Sequence, residues 1–288
     1  QHAIDNSKRY ILFGDPATRL MVPRFQFQTS APDTIFRLGK TDVAATVLDM
    51  DDTPFSYNGT LSVKARGASI EKTYYTRGNT ARINYTKPGR VFYTAELPIN
   101  SEMTSFSFIL PIDLDDSGSD ARINLFASGM SQEATGVVES FEIGGLAPGA
   151  EQDSDPPVID LSFDGLQAND GMFVSRQPSL TAVIQDQSGI NVVGKRGHNI
   201  TVLIDRQDMY NLTGTYRAYG DYRTGRLNYD LPVLPPGEHT IEFSVYDTHN
   251  NQARKHVTVN VVGTSSGDIA IMDLLNYPNP MGREGTNF

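Results

Sequence analysis

The chain has 288 residues, which suits about two domains of ordinary size, and 39% hydrophobic residues, enough to bury real cores. A formal charge of −10 and a pI near 4.9 argue against a nucleic-acid ligand, which needs a basic face, and against electrostatic docking on anionic lipid. With no cysteine the chain has no disulfide, thiolate metal site, cysteine nucleophile or thiol anchor, and no apolar run approaches the roughly 18 residues of a membrane helix.

Residues 1–10 are polar and lack the basic and apolar regions of a secretory signal, and the first residue is Gln1. The chain is therefore expected to begin part-way through a longer protein. Beyond that point the pattern is almost wholly of period two. Leu61, Val63 and Ala65 alternate with polar residues, followed by Val91, Tyr93, Ala95 and Leu97, then Phe106, Phe108 and Leu110, then Ile123, Leu125 and Ala127. Alternation of this kind puts one face of each strand in a core and the other in water. Asn58-Gly59, Arg77-Gly78-Asn79, Pro88-Gly89 and Ser117-Gly118 supply turns between the runs. The stretch 144–157 (GGLAPGAEQDSDPP) offers little to a core and reads as a linker.

A second series opens with Ile159, Leu161 and Phe163. It continues through Leu180, Ala182 and Ile184, then Ile200, Val202 and Ile204, then Leu227, Tyr229 and Leu231. It ends in a hairpin-like pair, 240–246 and 255–262, joined by Asp247-Thr248-His249-Asn250-Asn251. After a second joint at 263–268 come a strand-like run, 269–275, and a predicted turn at Tyr277-Pro278-Asn279-Pro280. The fold class is all-β: tandem Ig-like antiparallel β-sandwiches with a short extension at each end.

Candidate sites are few. His198 lies near Asp186, Ser188 and Asp205 in the sequence, but no nucleophile elbow or oxyanion donors accompany them. It reads better as a strand-end residue bonded to local backbone, with His239 and His249 as surface residues beside turns. Asp113, Asp115, Ser117 and Asp120 space oxygens as a calcium loop does, with Gly118 sixth. The twelfth position, which should carry a bidentate carboxylate, is Asn124, and this favours a solvated acidic loop. Calcium is thus the one cofactor weighed; otherwise no cofactor and no catalytic residue are expected. Tyr216, Tyr219, Tyr222 and Tyr229 are read either as a sugar-stacking surface or as the packed edge of a sandwich with hydroxyls in water.

Three stretches carry a resemblance to a family. Residues 9–20 (RYILFGDPATRL), with Gly14, Asp15 and Pro16, resemble the closing segment of gingipain-type cysteine peptidase domains. Asp186-Gln187-Ser188-Gly189-Ile190, Gly197-His198-Asn199-Ile200, Gly237-Glu238-His239-Thr240 and the loop with Asp247, Asn250 and Asn251 are similar to the Ig-like module of PorU-type proteins. Those proteins are the sortases of the type IX secretion system. The module usually has Asp where this chain has Asn199. The end of the chain, with Pro278, Asn279 and Pro280, looks like the opening of a FlgD-like Ig fold.

The resemblance implies a tail of an upstream peptidase domain at 1–23, a first sandwich at 24–147 and a linker at 148–157. A second, Ig-like sandwich would follow at 158–263, and a linker with the first strand of a truncated FlgD-like domain at 264–288. It implies non-catalytic tethering modules of a surface cysteine peptidase that processes secreted proteins, located outside the outer membrane after export through the periplasm. The implied partners are an outer-membrane β-barrel of the PorV kind and secreted cargo, with no nucleic acid and no direct membrane insertion. The alternatives are modules of an adhesin or carbohydrate-binding protein, or plain spacers.

Overall fold

The computed structural model describes residues 23–78, 81–114, 120–129, 132–139 and 141–262, together with the backbone of 277–282 and 285–287. Among them there is no α-helix, only strands and one 3-10 turn at Thr213–Thr215. The calls on Gly14, Asp15, Pro16, Asp115 and Ser117, and the run 269–275, lie outside the described residues.

The first module is built from β1 (Phe25–Ser30), β2 (Thr34–Arg37), β3 (Lys40–Leu48), β4 (Gly59–Arg66), β5 (Ile70–Tyr75), β6 (Arg82–Lys87), β7 (Val91–Ile99), β8 (Met103–Ile109), β9 (Arg122–Ser128), β10 (Glu133–Val138) and β11 (Glu142–Leu146). Its main sheet runs β7-β4-β9-β10-β1-β3-β8. β1 pairs in parallel with β10 through Phe25 and Gln26 and antiparallel with β3 from Gln26 to Ser30, so it joins β10 to β3 in the one sheet. The alternating residues behave as their spacing requires: Leu61, Val63, Ala65, Ile123, Leu125, Ala127, Phe106, Phe108 and Leu110 are all buried. Phe92 and Phe108 meet at 5.5 Å between ring centres, and Tyr93 stacks on Phe108 at 5.1 Å. Each fully buried chain of this size contributes roughly 1.5–3 kcal/mol, so this cluster sets the module's stability against chain entropy.

The second module contains β12 (Val158–Phe163), β13 (Leu166–Gln167), β14 (Met172–Val174), β15 (Ser179–Gln185), β16 (Thr201–Ile204), β17 (Asp208–Asn211), β18 (Arg217–Tyr219), β19 (Asp221–Asp230), β20 (Gly237–Tyr246) and β21 (Gln252–Val261). One face is β13-β12-β15-β19-β18 and the other β14-β21-β20-β16-β17. Phe163, Leu180, Ile184, Val202, Phe243 and Val259 fill the space between them. This is an Ig-like sandwich, and the all-β reading holds for the chain.

The two modules share main-chain hydrogen bonding. β18 pairs in parallel with β7 through Ala218 with Ala95 and Tyr219 with Glu96, giving one twelve-stranded sheet that runs through both. This explains why β7 is buried on both sides from Phe92 to Ala95, where strict alternation would leave Phe92 and Thr94 wet. A register break opposite Phe92, between Ala65 and Arg66, lets the strand present apolar residues both ways.

Two local expectations are corrected. Gly144 and Gly145 lie inside β11, which pairs in parallel with β2, so the linker-like composition begins within a strand. Tyr277-Pro278-Asn279-Pro280 is not a turn but the start of β22 (Tyr277–Gly282), paired with β23 (Gly285–Asn287). Proline fixes φ near −65°, which suits an outer strand as well as a turn.

Candidate functional site at the junction of the modules

The turn after β8 carries Asp113 into the second module. Leu114 N–H closes the turn on Pro111 C=O, and Ile112 N–H donates to Thr248 C=O of the second module at 3.0 Å. Asp113 is 6% exposed, and its carboxylate faces three side chains that are far away in sequence. His198 Nδ1 donates to Oδ2 at 2.6 Å, Asn191 Nδ2 to Oδ2 at 3.0 Å, and Asn250 Nδ2 to Oδ1 at 3.0 Å. Asn191 Nδ2 also donates to Asn250 Oδ1 at 2.9 Å, so Asp113, Asn191 and Asn250 close a ring. Burial works to raise the Asp113 pKa, but the bonds from His198, Asn250 and Asn191 outweigh it and hold the carboxyl below its usual value.

Local sequence chemistry prepares this site. Gly197 has φ +96°, a conformation that L side chains resist, and this turn delivers His198. Asn250 has φ +73°, which asparagine tolerates better than most residues. Asp247 is fully buried and caps the loop: its carboxylate accepts the N–H groups of His249 and Asn251 and the side-chain amide of Asn251. On the first module's side, Arg90 donates to Gly194 C=O at 2.9 Å.

The His198 ring is thus held by a carboxylate of the other module, 4.8 Å from the ring of Tyr246, while its backbone N–H bonds locally to Lys195 C=O at 2.9 Å. His239 is buried, not on the surface. Its Nδ1 donates to Asp205 at 2.6 Å and its Nε2 to Pro235 C=O at 2.8 Å. Burial lowers its pKa, but these two acceptors win and raise it overall. Ser188 Oγ donates to Asp186 at 2.7 Å. Asp186, Asp205 and Asp113 therefore serve three separate partners, and no serine–histidine–aspartate relay forms among them. Asn199 Oδ1 accepts from Asn211 Nδ2 at 3.2 Å, a bond that an aspartate in its place would also accept.

Of the calcium-loop residues, Asp113 engages the second module and Asp120 accepts the Ser69 N–H at 2.7 Å, so these two carboxylates face different partners. A different set of ligand atoms converges beside the 148–157 segment: those of Asp153, Asp247 and His249 lie within 4.8 Å of one another. Those groups already work for the fold. Asp247 caps its own loop, His249 Nε2 donates to Glu151 C=O at 3.1 Å, and Asn251 Nδ2 donates to Asp153 C=O at 2.9 Å, pinning the connecting segment to the second module. Nearby Asp186 is pushed up to about 6, chiefly by burial, with bonds from Ser188 opposing and the charges of Asp247 and Asp153 adding to it.

The tyrosines do not share a surface. Tyr216 and Tyr222 are buried between the modules, Tyr229 packs on Tyr210 at 6.2 Å, and Tyr219 alone of the four is well exposed, at 62%. The Tyr216 hydroxyl is enclosed by protein, not in water, and burial pushes its pKa well above the usual value. A cleft of about 870 Å³ opens at the seam, lined by Phe36, Lys40, Ile109, Ser188, Tyr222 and Arg223 among others.

No family model matches the chain, and no curated protein matches it. Among solved structures it is similar to the crystal structure of dimeric latent PorU from Porphyromonas gingivalis. The identity is 26% and the TM-score 0.51, over 93% of this chain and 26% of that one. The chain thus spans about a quarter of the length of that protein. A transglutaminase from red sea bream (11% identity, TM-score 0.24, 85% of this chain and 32% of that one) is a far weaker likeness. So is the native conformation of Escherichia coli alpha-2-macroglobulin (9%, 0.26, 82% and 17%).

Proposed function

We propose that the chain is a non-catalytic Ig-like portion of a PorU-type cysteine peptidase of the type IX secretion pathway. In this reading it acts as a stiff strut that carries the catalytic domain and tethers it at the cell surface. The observation that carries the proposal is the fused junction. A sheet continuous through β7 and β18, a buried carboxylate ringed by donors from the other module, and a pinned connecting segment oppose relative motion of the two sandwiches. The likeness to PorU along 93% of the chain supports the placement. Asp113 and its partners have positioning roles here, and no residue of the chain is assigned to chemistry. The surface partner in this reading is an outer-membrane β-barrel of the PorV kind, and the processed substrates are secreted cargo proteins.

The test is to express a PorU-type peptidase with and without the segment matching residues 24–262, in cells carrying the barrel, and to follow the catalytic domain by fractionation. The domain is expected at the surface only when the segment is present. A catalytic domain that stays at the surface without it refutes the tethering role.

A further inference from the structure

β5 and β6 form a ribbon of their own, paired with each other and with no other strand among the described residues. Almost every side chain on it is exposed. Directly opposed residues point the same way and neighbours along a strand alternate, so the register sorts these side chains onto two faces. One face carries, from base to tip, Ile70 with Lys87, Lys72 with Tyr85, and Tyr74 with Ile83. The other is mainly polar, with Thr73 Oγ1 donating to Asn84 Oδ1 at 3.0 Å. Tyr74, Ile83 and Tyr85 are 50–58% exposed, and a bare apolar face of this kind marks a contact surface.

The whole-chain charge of −10, read alone, argues against anionic lipid, but that charge is unevenly spread. Residues 70–87 hold four bases, Lys72, Arg77, Arg82 and Lys87, against Glu71, a net of +3 that leaves −13 on the rest of the chain. All four bases are exposed. An anionic surface therefore attracts the ribbon and repels the remainder, which fixes the part of the molecule that touches it. The side chains suit a bilayer interface as well as the charge does. Tyrosine rings settle at headgroup depth, and lysine stems lie along apolar surface with the ammonium in water. The two outer edges of the ribbon carry unpaired main-chain groups, so it stays at that wet depth and does not enter the hydrocarbon. A protein partner fits less well, because a stable complex buries roughly 800 Å² on each side and one ribbon of six-residue strands offers less.

We propose that the β5–β6 ribbon docks the chain on a lipid surface that bears anionic phosphate headgroups. Tyr74, Ile83 and Tyr85 lie among the headgroups, and Lys72, Arg77 and Lys87 meet the phosphates. Three apolar side chains and a net of +3 make this a reversible, salt-sensitive contact and not an anchor. The inference adds a lipid contact to the molecule and does not depend on a barrel partner or on the tethering role.

The test floats the 288-residue chain with phosphatidylcholine vesicles that contain about 30% phosphatidylglycerol. Wild type is expected to bind these and not pure phosphatidylcholine, and to be released at about 0.5 M salt. Each base near an anionic surface is worth about a fivefold change in affinity, so Lys72→Gln with Lys87→Gln should weaken binding about twentyfold. Tyr74→Ser with Tyr85→Ser should weaken it about tenfold or more. Met50→Ser with Met103→Ser, which removes exposed apolar chains elsewhere, should leave it unchanged. The chain has no tryptophan, so Tyr74→Trp is a clean reporter whose emission should shift to the blue with the anionic vesicles only. Tyr219→Trp, at an exposed site of the second module, should not shift. Unchanged thermal midpoints show that the variants are folded. The proposal is overturned by a wild type that ignores the anionic vesicles or binds both kinds alike, by ribbon variants that bind as wild type does, or by an unshifted Tyr74→Trp. Tighter binding to soluble polyglutamate than to the vesicles, the mark of an acidic protein partner, overturns it as well.

Discussion

Replacing Asp113 with alanine tests how much the junction contributes. The change deletes the acceptor for His198, Asn191 and Asn250 while leaving those donors in place. Asn191 has no exposed surface, so its amide loses a partner that water cannot easily replace. Leaving one buried donor unsatisfied costs about 1–3 kcal/mol. His198 and Asn250 are half-buried and can rehydrate in part, which makes their shares smaller. The total is about 2–4 kcal/mol. For a cooperative unit of this size, 1 kcal/mol shifts the midpoint by about 2–4 °C. Scanning calorimetry should therefore show a drop on the order of 5–10 °C. Asp42→Ala is the control: its exposed carboxylate meets Lys40 and Ser107 at the surface, and its loss should move the midpoint by a degree or so at most. If Asp113→Ala melts with wild type, the carboxylate ring does not hold the modules together.

Gly225 faces the Tyr216 ring so closely that an added Cβ would lie 2.1 Å from it, so Gly225→Val should fail to fold or melt far below wild type, whereas Gly145→Ala, with nothing within 4 Å, should be nearly silent in the same melts. Asp186, raised to about 6 when folded against an ordinary 3.8, binds its proton more tightly in the native state, so its contribution makes the chain more stable as pH falls from about 6 to 4. Asp186→Asn removes that slope and should be stabilising at pH 8; identical pH dependences of the two melting curves would contradict this. His239, raised by Asp205 and the Pro235 carbonyl against burial, acts with the same sign: its stabilisation is complete below about 6.5 and fades as pH rises through the higher native value, so His239→Gln should lose more stability at pH 6 than at pH 9. Asn251→Ala frees the Asp153 carbonyl and removes the side-chain bond to Asp247 while leaving the two backbone ones, and should make the 148–157 segment the first site of limited proteolysis; an unchanged cutting pattern would count against a pinned connection.

The strands were legible wherever one face meets a core and the other meets water. Leu61, Val63 and Ala65, or Leu180, Ala182 and Ile184, carry period two openly, and every one of them is buried. β7 was legible only in part, because its alternation breaks where the register shifts opposite Phe92, and Phe92, packed on Phe108, and Thr94 are buried together with Tyr93 and Ala95. The parallel pairing of β18 with β7 is invisible locally: two short segments over a hundred residues apart need no special residue to form such a ladder. The site was found residue by residue but not as a unit. Gly197, His198, Asp247, Asn250 and Asn251 stood out as motif residues, and Asp113 stood out as an acidic loop residue. That Asp113 is the acceptor joining several of them is a long-range fact. The signal that could have suggested it is the company of a buried-type turn, Leu110-Pro111-Ile112 before it and Leu114 after it, which suits a core better than a solvated calcium loop.

The strut account stands or falls on whether the two sandwiches move as one body. The chain has no native cysteine, so cysteines placed at exposed Val137 in the first module and Phe173 in the second can be spin-labelled cleanly. Pulsed dipolar spectroscopy on labelled chain diluted into unlabelled chain then reads the distance between the modules. The account predicts one narrow distance distribution in wild type and a broader one in Asp113→Ala. A broad or multimodal distribution in wild type would show that the modules swing independently and would contradict it.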